Sequence, residues 1–218
     1  MFFEGEEMFT VIIPIRQKDE QLEIAKCNNF SLLERKINCF KKNSLISEII
    51  VASNSLEIRE YVSNFDVKFY FRKEEEVQDN LEEFIINLIQ NIENPYVIWT
   101  SCMNPFIDEK IFSEAIDEFL NLDFTIYDSL ITCGKLDKFI LDENGALNFK
   151  TGHYHIHSSS LPKFYYLVNG CFIISKNLME KYRYPWGKVP YKKILEHKFT
   201  FEIKDTNDFL FFKQILDK

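Results

Sequence analysis

At 218 residues, with 34 acidic against 26 basic side chains and a formal net charge of −8, the chain is long enough for one sizeable α/β domain and short for two. That charge argues against a nucleic-acid surface, which needs many lysine and arginine contacts to phosphate. The five cysteines, Cys27, Cys39, Cys102, Cys133 and Cys171, are odd in number and lack a Cys-x-x-Cys pair, so no zinc knuckle or disulfide frame is implied and a reduced, cytoplasmic protein is expected.

The amino terminus carries Glu4, Glu6 and Glu7 where a signal peptide would be basic, and no apolar run approaches the roughly 20 residues of a membrane span. Phe9 to Ile15 is a near-continuous, β-branched apolar run, the pattern of a strand buried on both faces, and Arg16 stands where it ends. A loop holding Gln17, Lys18, Asp19, Glu20 and Lys26 leads to Ser31-Leu32-Leu33-Glu34. This is a capping box opening a helix, with Leu32, Leu33, Ile37 and Phe40 at helical spacing. A first strand feeding a loop and a helix is where an open α/β sheet binds nucleotides.

Farther along, Ile46 to Ala52 predicts a second strand, with Ser53-Asn54-Ser55 as its loop and helix cap and a short helix through Tyr61. Val67 to Phe71 predicts a third strand with Arg72 at its end, Asn80 to Ile92 a helix, and Tyr96 to Thr100 a fourth strand. Asn104-Pro105-Phe106 then turns the chain into a helix near Asp108 to Phe119. Such alternation implies parallel βαβ units with right-handed crossovers.

The second half reads differently. Tyr127 to Thr132 is a strand, Asp142-Glu143-Asn144-Gly145 a hairpin turn, and Asn169-Gly170 precedes the apolar Cys171 to Ile174. The expected whole is one α/β domain over residues 1–218: a Rossmann-like, mostly parallel nucleotidyltransferase sheet with helices on both faces. A β-rich insertion at about 133–168 interrupts it, and a strand at Phe199 to Ile203 and a helix from Asp205 close it.

Three constellations carry possible chemistry. Arg16, Lys26 and Arg72 fall at carboxyl ends of expected strands or just beyond, as a triphosphate site would need, although the first loop has no glycine and spacing alone favours solvated loop cations. His153, His155 and His157 would share one face of a strand and could ligate zinc, but a polar loop face fits the neighbouring serines better. Glu202, Asp205 and Asp208 could hold Mg²⁺ beside phosphates, while Asp205 as a helix N-cap with Asp208 in the first turn explains those two equally.

In order and spacing the motifs resemble the CMP-sialic acid synthetase family (acylneuraminate cytidylyltransferases), in its divergent bacterial form. The likeness rests on Ile12-Ile13-Pro14-Ile15-Arg16, on Lys26 and Asn28 before FSLLERKI, on Ile49 to Ile58, and on Arg72 to Asp79. Asn104-Pro105-Phe106, Ser158-Ser159-Ser160-Leu161-Pro162, Tyr165 and Asn169-Gly170 extend it over most of the chain. The resemblance implies transfer of CMP from CTP to an acidic, nonulosonic-type sugar with release of pyrophosphate, for surface-glycan synthesis, in a homodimer. It places Arg16 and Lys26 on the phosphates and Asn28, Ser53, Arg72, Asp79 and Ser101 around the nucleotide. Asn104, His157, Ser158, Ser159 and Asn169 would face the acceptor. Where that family has paired aspartates for Mg²⁺, this chain has Glu202-Ile203-Lys204, which leaves the metal to Glu202, to Asp205 by a slip of one residue, or to neither. A nucleotidyltransferase with another acceptor, or a catalytically silent nucleotide-binding relative, stays open.

Overall fold

The computed structural model describes residues 9–18, 21–77, 81–154 and 156–217. In chain order the main elements are β1 (Phe9–Ile15), α1 (Leu32–Phe40), β2 (Ile46–Ser53), α2 (Leu56–Val62), β3 (Lys68–Phe71), α3 (Glu74–Val77) and α4 (Leu81–Ile89). There follow β4 (Tyr96–Trp99), α5 (Glu109–Leu120), β5 (Ser129–Leu136), β6 (Phe164–Ser175), α6 (Lys176–Tyr182), β7 (Pro190–Leu195) and α7 (Thr206–Leu216). The seven strands form one sheet in the order β7-β5-β6-β4-β1-β2-β3. Strands β4, β1, β2 and β3 run parallel, as do β5 and β7, and β6 is antiparallel to both of its neighbours.

Strand β1 sits mid-sheet because its side chains are apolar on both faces. Val11 and Ile13 pack with α1, α2, α5 and α7, whereas Ile12 faces α4 and α6 through Phe84, Leu88 and Met179. Each such side chain, taken fully out of water, contributes about 1.5–3 kcal/mol. Ser31 starts α1 by accepting the amide of Glu34 on its Oγ at 3.0 Å, and Asp108 does the same for α5 with the amide of Ile111 at 3.1 Å. Between the helices, Phe40 and Phe112 meet with ring centroids 4.2 Å apart.

The parallel half follows the sequence pattern, and the last third departs from it. No strand forms at Phe199 to Ile203: residues His197–Thr200 make a 3₁₀ turn, and the seventh strand is β7, paired parallel with β5. The apolar side chains of that stretch cover the core from a loop, with Ile203 buried and its amide donating to Met103 O at 2.8 Å. Strand β7 was masked in the sequence by Lys192-Lys193. Lys193 is buried because its Nζ meets Glu118 at 2.6 Å and Glu114 at 3.4 Å on α5, and Pro190 is tolerated at the start of an edge strand. Only the ends of the 133–168 stretch, residues 133–136 and 164–168, belong to β5 and β6. Between them lies a hairpin of two-residue strands, Leu141–Asp142 and Gly145–Ala146, whose turn is held by Asp142 Oδ1 accepting the amides of Asn144 and Gly145.

Strand β6 is bent where it passes the sheet's centre. Its pairing with β5 shifts between Leu167 and Phe172, and the hydroxyl of Thr132 fills the gap, lying 2.8 Å from Val168 O and accepting Cys171 N at 2.9 Å. Gly170 sits in this bend with a Cβ position that would overlap Cδ1 of Ile107, itself buried. Gly170→Ala is therefore expected to cost about 1–3 kcal/mol by overpacking, read as a lower denaturant midpoint. Adding Ile107→Val should recover part of the loss.

Candidate active site

The carboxyl ends of β1, β2, β3 and β4 open on one side of the sheet, and their loops are tied together there. Gln17 N donates to Asn54 Oδ1 at 2.9 Å, Arg72 N donates to Ser53 O at 2.9 Å, and Ser101 N donates to Asn169 O at 3.1 Å. Beside these bonds lies a cleft of about 390 Å³ lined by Arg16, Lys18, Arg72 and Lys204. Glu23, Glu202, Ser101 and Asn169 complete its polar lining, and Phe84, Trp99 and Met103 supply its apolar wall. Concentrating basic side chains in one recess of an acidic protein makes a site for a compact polyanion.

Arg72 is the most constrained of these cations. It is 3 % exposed, its Cζ lies 4.1 Å from the centroid of the Phe84 ring, and one guanidinium nitrogen donates to Glu76 O. Nε is buried without a partner. Burial, and then the neighbouring positive charge of Arg16, lower the guanidinium to about 10. A buried guanidinium held beside a second cation, with a donor left unused, is arranged for an anion supplied from outside.

Behind Arg72, Glu76 is fully buried and fixes the end of β3 to α4. Its carboxylate accepts from Tyr70 Oη at 2.8 Å, Asn87 Nδ2 at 2.7 Å and Lys73 N at 2.9 Å. Burial and then the bond to Glu76 hold the Tyr70 phenol well above its ordinary range.

Of the residues named from sequence, Arg16, Arg72, Ser101, Asn169 and Glu202 line the cleft. Others stand apart from it. Lys26 is exposed on a two-residue strand paired with Ser31, and Asn28 makes the left-handed turn beside it, φ 56°. Ser53 is buried at the end of β2, its Oγ accepting the amide of Ser55. Asn104 is fully buried and structural in its bonds: its carbonyl accepts from Lys36 Nζ at 3.1 Å, and its Nδ2 donates to Phe201 O at 3.2 Å. His157, Ser158 and Ser159 form an exposed 3₁₀ turn in which His157 Nδ1 accepts the amide of Ser159. Asp79 and His155 lie outside the described residues.

Asp205 caps α7, its Oδ1 accepting the amides of Asn207 and Asp208. The Glu202–Asp205 pair expected for Mg²⁺ is thus split between cleft and cap, with Lys204 on the cleft beside Glu202, and this donor set does not fit a site of paired carboxylates at the strand–helix junction. Among the described residues no group of three or more His, Cys, Asp or Glu is placed to hold a metal. Lys18, Glu23 and Trp99 enter the cleft without having been singled out. For Glu23 a signal existed: one carboxylate inside Leu22-Glu23-Ile24-Ala25 marks a charge carried into apolar surroundings.

The sequence profile of the cytidylyltransferase family matches residues 10–163, from β1 to the turn before β6. The chain belongs to the cytidylyltransferase family. Nucleotidyltransferases of this family are enzymes, and the cleft lies at the strand ends where an open α/β sheet binds nucleotides. Compared with curated proteins by sequence, the chain matches none. Its fold is that of solved cytidylyltransferases. It is similar to 4-diphosphocytidyl-2C-methyl-D-erythritol synthase from Anaerococcus prevotii at TM-score 0.69 and 14% identity, covering 97% of this chain and 99% of that one. It is similar as well to CMP:2-keto-3-deoxy-manno-octonic acid synthetase in complex with CTP, at TM-score 0.70 and 10% identity, covering 96% and 98%. Among the described residues no helix of this cytidylyltransferase is long and apolar enough to cross a membrane.

Proposed function

We propose that this cytidylyltransferase moves CMP from CTP to an acidic, nonulosonic-type sugar and releases pyrophosphate, as the motifs shared with CMP-sialic acid synthetases imply. The observation that carries the reading is the gathering of Arg16, Lys18, Arg72 and Lys204 around one cleft at the strand ends. In-line attack of an acceptor hydroxyl on the α-phosphorus shifts negative charge toward the β-phosphate. Fixed guanidinium and ammonium groups then stabilise pyrophosphate as it leaves, and positioning plus such charge accounts for most of phosphoryl-transfer catalysis. A solved neighbour that acts on 2-keto-3-deoxy-manno-octonic acid supports an acidic sugar as acceptor.

A second reading keeps the reaction and changes the acceptor. It is favoured by a larger groove of about 970 Å³ that shares Glu202 and Lys204 with the cleft and is walled by Phe106, Tyr166, Phe199, Phe201 and Phe211. Pyrophosphate release, measured with CTP, Mg²⁺ and either N-acetylneuraminate or 2-keto-3-deoxy-manno-octonate, separates the two. Release with CTP and N-acetylneuraminate supports the first; release with 2-keto-3-deoxy-manno-octonate and none with N-acetylneuraminate supports the second. Arg16 is exposed at the cleft mouth, so Arg16→Ala is expected to weaken CTP binding by about 1 kcal/mol or more at an unchanged melting temperature, as calorimetry and a thermal scan would show.

A further inference from the structure

Glu23 is the cleft residue that a polyanion site does not by itself explain. It is 4 % exposed, lines the cleft with the cations, and has an Oε2 buried without a hydrogen-bond partner. Its backbone is fixed by Leu33 N donating to Glu23 O at 2.9 Å, and its side chain is buried in place. A carboxylate and a phosphate are both acceptors, and no hydrogen bond joins them unless a proton is added.

We propose that nucleoside triphosphate binding in this cleft takes up a proton on Glu23, whose neutral carboxyl group then donates its O–H to a phosphate oxygen. The inference rests on the nucleotide reading of the cleft and adds to it a group and a charge state. The proton comes from solvent, and no covalent bond forms or breaks.

The charges around Glu23 set the direction. Burial raises its carboxyl above the ordinary range, opposed more weakly by its own backbone amide and by Lys18. Facing it from the loop after β4 is Cys102, pushed up to about 12 by burial and then by Glu23, with Lys36 of α1 lowering it. Arg16, Arg72 and Lys204 share the cleft and Glu202 adds a second acidic group. A triphosphate brings several negative charges to these same cations, so the ionised form of Glu23 loses ground further in the complex. Its bound value lies above its free value. Uptake therefore occurs between the two, affinity falls as pH rises through that window, and affinity is flat below the free value, where Glu23 already holds its proton.

Calorimetric titration of the wild-type protein and of E23Q with CTP in excess Mg²⁺, in buffers of different ionisation enthalpy between about pH 6 and 8, tests this. Mg²⁺ keeps the free nucleotide's own phosphates ionised, so the exchanged protons belong to the protein. Wild-type protein is expected to take up as much as about one proton per CTP, its affinity falling by up to about tenfold per pH unit relative to E23Q, which should exchange none. Equal proton exchange in the two proteins overturns the proposal, as does proton release or no exchange in the wild type. Should E23Q not fold, the wild-type buffer dependence decides alone. Absence of any CTP heat from folded wild-type protein overturns the nucleotide reading together with this one, which sets that failure apart from binding without proton uptake.

Discussion

Replacing Arg72 with methionine is expected to weaken CTP binding by about 1.5–3 kcal/mol, roughly 10- to 150-fold, and to leave the melting temperature near its wild-type value. The two effects separate because the guanidinium is held in a poor place for its own sake. It is buried, repelled by Arg16 and left with an unused Nε, all of which disfavour the charged form in the free protein. Methionine keeps an unbranched side chain against Phe84 and removes that cost, while giving up the bond to Glu76 O. Isothermal titration with CTP and a thermal scan give both numbers. A large loss of stability with unchanged affinity would make Arg72 part of the scaffold.

Glu76→Ala should lower stability by about 3 kcal/mol or more, measured by denaturant unfolding. It removes, from the fully buried Glu76 position, the common acceptor of the Tyr70 hydroxyl, the Asn87 amide and the Lys73 backbone amide, all three bonds being partly buried. The Tyr70 phenol provides a separate readout. With the Glu76 hydrogen bond and charge gone, two of the causes that raise it are lost, and its alkaline absorbance change should move to lower pH. CTP affinity should fall as well, since Glu76 anchors the turn that aims Arg72.

How much of this the sequence disclosed depended on what each residue does. Strand β1 and helix α1 were legible because one repeats apolar side chains without a break and the other opens on Ser31 and Glu34; both signals are local. Strand β7 was not. Its buried Lys193 is compensated by Glu114 and Glu118, more than seventy positions away in sequence, and no window of residues shows that pairing. The reverse held for Phe199 to Ile203, where apolar residues cap a core from a loop and imitate a strand. In the cleft, Arg16 and Arg72 were legible as charges ending strands, a consequence of parallel topology. Lys26 carried the same signal and lies on the short hairpin, because the long glycine-free loop between it and Arg16 displaces it from the strand end. Lys18 and Glu23 belong to that loop, and the place of Glu23 depends on a tertiary contact, Leu33 N donating to Glu23 O.

The structure of the protein grown with CTP tests the central claim most directly. Phosphate oxygens within hydrogen-bond reach of Arg16, Lys18 and Arg72, at the ends of β1 and β3, are the predicted result. Nucleotide bound in the aromatic groove beyond Glu202, or a cleft that excludes CTP at saturating concentration, would contradict it.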